Sequence, residues 1–205
     1  IAALVKDYKG DTTMTAGEAF DPTPANIDAR TVRSELPSGM KLALLPKATR
    51  GQTVSGTIRL HFGTEQALSG KATTASLAGA MLMRGTTAHT RLQIKDEFDR
   101  LKAQVGVRGT AEGVTVSFTT VRANLPAVIR LAGEVLRQAS FDSTEFVTLQ
   151  RERLAALESQ RTDPIALAQT ALARATQAYA PGHPRYVSTI EERIANTQAV
   201  SVADA

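Results

Sequence analysis

The side chains with which this chain could do chemistry are three histidines, a scatter of serines and a set of glutamates. An imidazole serves as a general base, or binds a metal when a second histidine follows at i+3, i+4 or i+5. His61, His89 and His183 are far apart, and none has such a neighbour. His61 falls at an outward strand position, His89 in a Thr-rich loop and His183 between Gly182 and Pro184, so each reads as a surface or turn residue. A serine nucleophile on a Gly-x-Ser-x-Gly elbow is not encoded, because the nearest window, Ala75 to Gly79, lacks the first glycine. No Gly-x-Gly-x-x-Gly or Walker-type loop offers a phosphate cradle. With no cysteine, thiolate zinc sites, iron–sulfur clusters and cysteine nucleophiles are excluded. Glu145, Glu152 and Glu158 interleave with Arg151, Arg153 and Arg161, which reads as a solvated, ion-paired helix face rather than a carboxylate pair poised for acid–base work.

Composition narrows the partners. The 205 residues carry 24 Lys and Arg against 20 Asp and Glu, a net charge of +4, but the basic residues are spread thinly and aromatics make up only 4%. A nucleic-acid interface would cluster that charge beside stacking rings, so nucleic acid is not an expected partner. No apolar run is long enough to span a membrane. A chain of this length can bury a core without staples.

The elements that must position any site follow from periodicity. Residues 1–27 are crowded with turn formers, among them Gly10, Asp11, Gly17, Pro22 and Pro24, and read as an extended interdomain linker. Val32 to Leu36 and Lys41 to Leu45 are short strands around the turn Pro37-Ser38-Gly39-Met40. Val54, Gly56, Ile58, Leu60 and Phe62 alternate with polar residues, as in a half-buried strand, and Gly63 to Lys71 reads as a loop. Ala72 to Met83 is small or apolar all round and reads as a buried helix stopped by Gly85. Ile94, Phe98, Leu101 and Val105 mark an amphipathic helix, and two strands flanking Glu112-Gly113 form a hairpin burying Val114, Val116 and Phe118. Further helices carry Leu125, Val128, Ile129, Ala132, Val135 and Leu136 on one face. The next starts at Ser143 as N-cap, with Phe146, Val147, Leu149, Leu154 and Leu157 inward. An Ala-rich helix opens at Pro164 and runs to Tyr179, and a short last one covers Val187 to Thr197. Clustered strands followed by clustered helices predict an α+β fold, an antiparallel or mixed sheet covered on one face by helices.

Residues 36 to 86 carry a resemblance. Leu36-Pro37-Ser38-Gly39-Met40-Lys41-Leu42-Ala43-Leu44-Leu45-Pro46 resembles the opening hairpin of pitrilysin/insulinase-type (inverzincin) zinc metallopeptidases. Ser76-Leu77-Ala78-Gly79-Ala80-Met81-Leu82-Met83-Arg84-Gly85-Thr86 resembles their active-site segment, His-x-x-Glu-His followed by an apolar stretch and Lys/Arg-Gly-Thr. Pro181-Gly182-His183-Pro184 and the helix after it also resemble the family. The resemblance covers roughly residues 28–205.

In the family the two histidines hold zinc and the glutamate activates its water. Their places fall on Ser76, Gly79 and Ala80, and the third ligand, a glutamate, falls near Ala155 or Ala156. None of these supplies the lost function. The resemblance therefore implies a degenerate, non-catalytic metallopeptidase half-domain of the mitochondrial-processing-peptidase type, over residues 28–205 with its C-terminal end truncated. It implies the first domain of the C-terminal half of a longer zinc endopeptidase, with residues 1–27 arriving from the catalytic half. No cofactor is expected in this domain; zinc belongs to the catalytic domain, in the same chain or a partner subunit. The expected substrate is a peptide held in a chamber to which Ser76, Gly79 and Ala80 contribute lining. An exported bacterial protein is the compartment expected. The alternative is a scaffold or interaction subunit of the same fold with no peptidase partner.

Overall fold

The computed structural model describes residues 16–37, 39 and 41–205, with the backbone alone for Leu42. Residues 1–15 of the expected linker, and Ser38 and Met40 of the expected turn, lie outside the described residues. The chain divides into two compact units, one holding residues 16–54 with 121–123, the other residues 55–120 with 124–205.

In the first unit, part of the expected extended linker is helical. Pro24–Arg30 forms α1, because Pro24 presets φ in a first turn that needs no N–H from it. Phe20 lies under two cations, with Arg30 at 5.3 Å and Lys47 at 4.4 Å from its ring centre. Arg30 also pairs with Glu18 at 3.0 Å and donates to the Pro46 carbonyl at 2.7 Å. β1 (Val32–Glu35) and β2 (Lys41–Leu44) pair antiparallel, Val32 opposite Leu44 and Glu35 opposite Lys41, so the expected hairpin is present.

The second unit carries the main sheet, in the order β3 (Thr53–His61), β5 (Gly113–Val121), β4 (Gln104–Thr110). β4 and β5 are antiparallel with Val105 opposite Phe118 and Val107 opposite Val116. Thr110 pairs with Gly113, so the two-residue turn is Ala111-Glu112, one position earlier than the hydrophobic pattern predicts. The alternation of β3 holds from Val54 to Ile58, but Leu60 and Phe62 are exposed. Between β3 and the next helix, the expected loop contains a single helical turn, α2 (Glu65–Leu68), started by Thr64, whose hydroxyl accepts from Ala67 N.

Helices cover the inner face of this sheet. α4 (Arg91–Arg100) is fixed at its start by a reciprocal cap between Thr90 and Gln93 and buries Ile94 and Phe98. α5 (Leu125–Arg137) buries Val128, Leu131, Ala132 and Val135, whereas Ile129 points outward. These side chains meet Leu101, Ala103 and Phe118, with Ile58, Val105, Val107 and Val114 at the margin. Burying each large aliphatic contributes about 1.5–3 kcal/mol, and this cluster is the main store of that energy.

α3 (Ala72–Met81) lies on β4, and α6 (Ser143–Gln160) and α8 (Ile190–Ala199) pack with it. A second apolar cluster of Leu77, Met81, Phe146 and Leu149 joins them. The cap of α6 is Asp142 rather than Ser143: its carboxylate accepts from Thr144 N and Glu145 N. Val147, expected inward, is exposed. The Gln150 amide donates to the carbonyls of Thr197 and Val200, satisfying the end of α8. α7 (Pro164–Thr176) is capped by Asp163 and ends before Tyr179, and α8 starts at Ile190 because Thr189 and Glu192 cap each other there.

Candidate functional site

α3 carries three of the positions at which the resemblance places zinc-site residues, and they lie in three different surroundings. Ser76 is half-buried and lines a cavity of about 670 Å³ bounded by α3, α6, α7 and α8. Gly79 is buried against Gly109 of β4: a Cβ at 79 would lie 2.3 Å from the Gly109 Cα and 2.6 Å from its nitrogen. Only two glycines facing each other let helix and strand approach this closely. Ala80 is exposed, as are Ala155 and Ala156 on α6. One hydroxyl, a hydrogen and two or three methyls do not make a zinc donor set, which needs imidazole, carboxylate or thiolate. These residues do not fit the metal.

The end of α3 is built with more polar structure than the helix itself. After a single tight turn at Leu82–Arg84, Gly85 takes φ 142°, a backbone closed to other residues. Arg84, only 9% exposed, reaches α6, where it pairs with Glu145 at 3.1 Å and with Glu152. Arg91 joins Glu145 at 3.5 Å. The next residue but one, Thr86, donates to Glu134 of α5 at 2.5 Å, and His89 Nδ1 donates to the same carboxylate oxygen at 2.8 Å. Hydrogen bonds from Thr86 first, and His89 second, hold the Glu134 carboxyl below its ordinary value. The Arg84-Gly85-Thr86 tripeptide is thus a latch tying α3 to α5 and α6.

Sequence reasoning missed the partners in this latch. Glu145 and Glu152 were expected to face solvent beside Arg151 and Arg153; instead both answer the buried Arg84. Their spacing of two helical turns, which puts them on one face, is the signal that could have found them. Glu158 does pair locally, with Arg161 at 3.1 Å.

The histidines do not gather, and the described residues hold no cluster of three or more metal-ligating side chains. His61 and His183 line one cleft. His183 stacks on Tyr179 at 4.2 Å, accepts from Arg185 N through Nδ1 and faces Glu65 with Nε2 at 3.3 Å. His89 is separate, in the Glu134 latch.

The cavity beside Ser76 holds two cations. Arg153 of α6 and Arg193 of α8 both line it. Arg193 Nη2 donates to Thr170 at a long 3.4 Å, and its Nε is buried without a partner. Burial, followed by the charge of Arg153, lowers the Arg193 pKa, opposed by Glu191. Among the described residues no helix is long and apolar enough to cross a membrane.

No family model matches the chain, and no curated protein matches it. Solved structures do. A peptidase M16 inactive domain from Pseudomonas fluorescens superposes with a TM-score of 0.61 at 19% identity, over 82% of this chain and 42% of that one. A protease from Helicobacter pylori gives a TM-score of 0.67 at 14% identity, over 85% of this chain and 41% of that one. The ferredoxin protease FusC, solved as a mutant in complex with Arabidopsis ferredoxin, gives 0.55 at 17%, over 93% and 20%. At these identities the likeness is one of fold: an α+β architecture with antiparallel sheets and helices, shared with a peptidase M16 inactive domain and with two proteases. The chain spans less than half the length of each of these proteins.

Proposed function

We propose that this chain is a non-catalytic domain of a zinc metallopeptidase of the pitrilysin/insulinase type, forming part of the substrate chamber opposite a catalytic domain that lies elsewhere. The observation that carries this reading is the seat of α3. The helix that would carry the zinc ligands in a catalytic copy rests on β4 through Gly79 and Gly109 backbone atoms, at a distance that excludes even a methyl group at 79. A helix so seated is held by packing and by the Arg84–Thr86 latch, and it needs no metal to keep its place.

In this reading the domain supplies shape to the parent enzyme rather than reacting groups. Ser76 and Ala80, with the half-buried and exposed surroundings described above, contribute chamber wall, while Gly79 contributes only the close contact beneath. Zinc, the water-activating glutamate and the histidines belong to the catalytic domain, carried by the same polypeptide or a partner subunit, and the substrate is a peptide. The place of this domain in its parent is the first domain of the C-terminal half.

The test is a peptidase assay on a quenched-fluorescent peptide library, run on this chain alone and on the complete natural protein. The expected result is no cleavage by the chain and chelator-sensitive cleavage by the complete protein or its complex. Zinc-dependent cleavage by the chain alone would overturn the inert-domain reading. A complete protein with neither a His-x-x-Glu-His segment nor a partner bearing one would leave the scaffold subunit as the function.

A further inference from the structure

The cavity bounded by α3, α6, α7 and α8 is lined by two arginines, Arg153 and Arg193. Arg84, the buried arginine, is answered by two glutamates, whereas Arg193 is half-buried with its Nε fully buried. Arg193 and Arg153 share one cavity, and among the described residues neither forms an ion pair. Of the acids nearby, Glu191 acts on Arg193 through its charge without pairing with it, and two others are committed elsewhere. Glu192 accepts from the Tyr186 hydroxyl and caps Thr189 N at 2.8 Å, and Asp163 caps α7 through Ile165 N at 2.9 Å. What remains for Arg193 is a long bond to Thr170, an orphaned buried Nε and the repulsion of a second guanidinium. A buried donor without an acceptor is unfavourable, and more so when charged. An anion in the cavity would relieve both the orphan donor and the like-charge repulsion.

The other walls limit what that anion is attached to. Leu77, Leu157, Ile165 and Ala166 supply apolar surface, and Thr73 and Gln169 supply neutral polar groups beside it. Inorganic phosphate would leave the apolar wall unused, whereas a carboxylate next to an aliphatic side chain and an amide would use all three surfaces. The volume, about 670 Å³, lies in the range of pockets that enclose drug-sized ligands. We propose that this cavity binds the C-terminal end of a peptide, its free carboxylate between Arg153 and Arg193 and its last aliphatic side chain against the α3–α7 wall. Arginine is the residue suited to this, because its planar fork meets a carboxylate with two parallel donors. The assignment goes beyond the chamber-wall reading and does not depend on it, since a peptide end is bound here whether or not the parent cleaves it.

Titration calorimetry of the chain with acetyl-Ala-Leu as the free acid, and with the same dipeptide as its C-terminal amide, tests this. Arginine side-chain NMR runs in parallel, following the Arg193 Nε–H resonance. The expected result is saturable binding of the acid, at least about tenfold weaker binding of the amide, and a shift of the Nε–H resonance by the acid alone. Arg153 is largely exposed, so Arg153→Gln is expected to fold as the parent does, checked by circular dichroism, and to weaken the acid by about tenfold or more while leaving the amide unchanged. Arg193→Lys keeps the charge but loses the fork, and is expected to weaken the acid as well. Equal binding of acid and amide, or binding of neither, overturns the proposal. So does acid binding that is indifferent to Arg153→Gln. Hexanoate or inorganic phosphate binding as tightly as the dipeptide acid would overturn the peptide assignment in favour of a small-acid or general oxyanion site.

Discussion

Replacing Gly79 by alanine should destabilise the chain even though the same change in a helix normally stabilises it. The added Cβ would stand 2.3 Å from the Gly109 Cα, against an ordinary carbon–carbon contact of about 3.5–4.0 Å. α3 and β4 must then separate by roughly 1 Å, because the colliding atoms are backbone and neither can rotate away. Overpacking of this kind costs about 1–3 kcal/mol, and the rigidity of both partners puts it near the top of that range. The helix gains about 1 kcal/mol from losing a glycine. The net expectation is a loss of about 2 kcal/mol, or a fall of about 4–8 °C in Tm for a chain of this size.

The assay is urea and thermal unfolding followed by far-ultraviolet circular dichroism, with Gly133→Ala as the internal control. Gly133 lies within α5, and a Cβ there meets nothing within 4 Å, so the control should gain up to about 1 kcal/mol. Gly109→Ala should also destabilise, since its Cβ would come within 2.5 Å of the Gly79 Cα. The double variant should cost less than the sum, because the second methyl enters a gap already opened. A Gly79→Ala chain as stable as the parent, or moved in the same direction as Gly133→Ala, would refute the close-approach argument and with it the seat of α3.

Further expectations test the surrounding structure. Arg84→Met removes the partner of Glu145 and Glu152; because those acids are one-third to one-half exposed, the loss should be about 1–3 kcal/mol by urea unfolding, below that of a fully buried pair. Arg84→Lys should recover only part of it, since an ammonium cannot fork between two carboxylates. The folded-state pKa of Glu134 lies below its ordinary value, so its contribution to stability is present above the ordinary glutamate value and is lost as pH falls through the folded one. Glu134→Gln should therefore flatten the acid side of the stability–pH profile; an unchanged profile would mean that the Thr86–His89–Glu134 latch is not formed in solution. Elemental analysis of the chain, dialysed against metal-free buffer, should find less than stoichiometric zinc, and bound zinc would show a ligand set that the residues at 76, 79 and 80 do not supply. Restoring His, Glu and His through Ser76→His, Gly79→Glu and Ala80→His should lower stability and yield no turnover, because position 79 has no room for a side chain.

The elements legible in the sequence were those whose signal is local. Alternation marked β3 as far as Ile58, and the small, apolar run at 72–81 marked α3, although the helix buries only Leu77, Gly79 and Met81 and leaves Ala80 exposed. Caps that reuse side chains already committed to a pattern were harder. Asp142 rather than Ser143 starts α6, since both are good N-cap types and only the backbone decides between them. Pro22 and Pro24 read as extended chain, yet Pro24 opens α1, because proline at a first turn and proline in a linker look alike in sequence. The zinc-site positions were read from a resemblance, and the contacts that hold α3 were not legible in the sequence. Nothing near Gly79 in sequence names Gly109, and nothing near Arg84 names Glu145 and Glu152; these are long-range pairings that the fold alone brings together.

Those pairings bear on the proposed function, in which α3 would be the counterpart of a metal-binding helix. A helix cross-linked by a metal would lose that tie along with its ligands. Two features hold α3 without one. Below α3, the Gly79–Gly109 contact draws helix and strand together more closely than any side chain permits, and beyond its end Arg84 and Thr86 bind α6 and α5 through three glutamates. Both features would oppose a zinc site on α3, the first by leaving no space for a glutamate side chain at 79 and the second by committing acids of α6 to a structural cation. If the domain is non-catalytic, as proposed, the residues facing the neighbouring cavity are free to serve another ligand, and Arg153 and Arg193, neither of them in an ion pair among the described residues, are where such a ligand would be held.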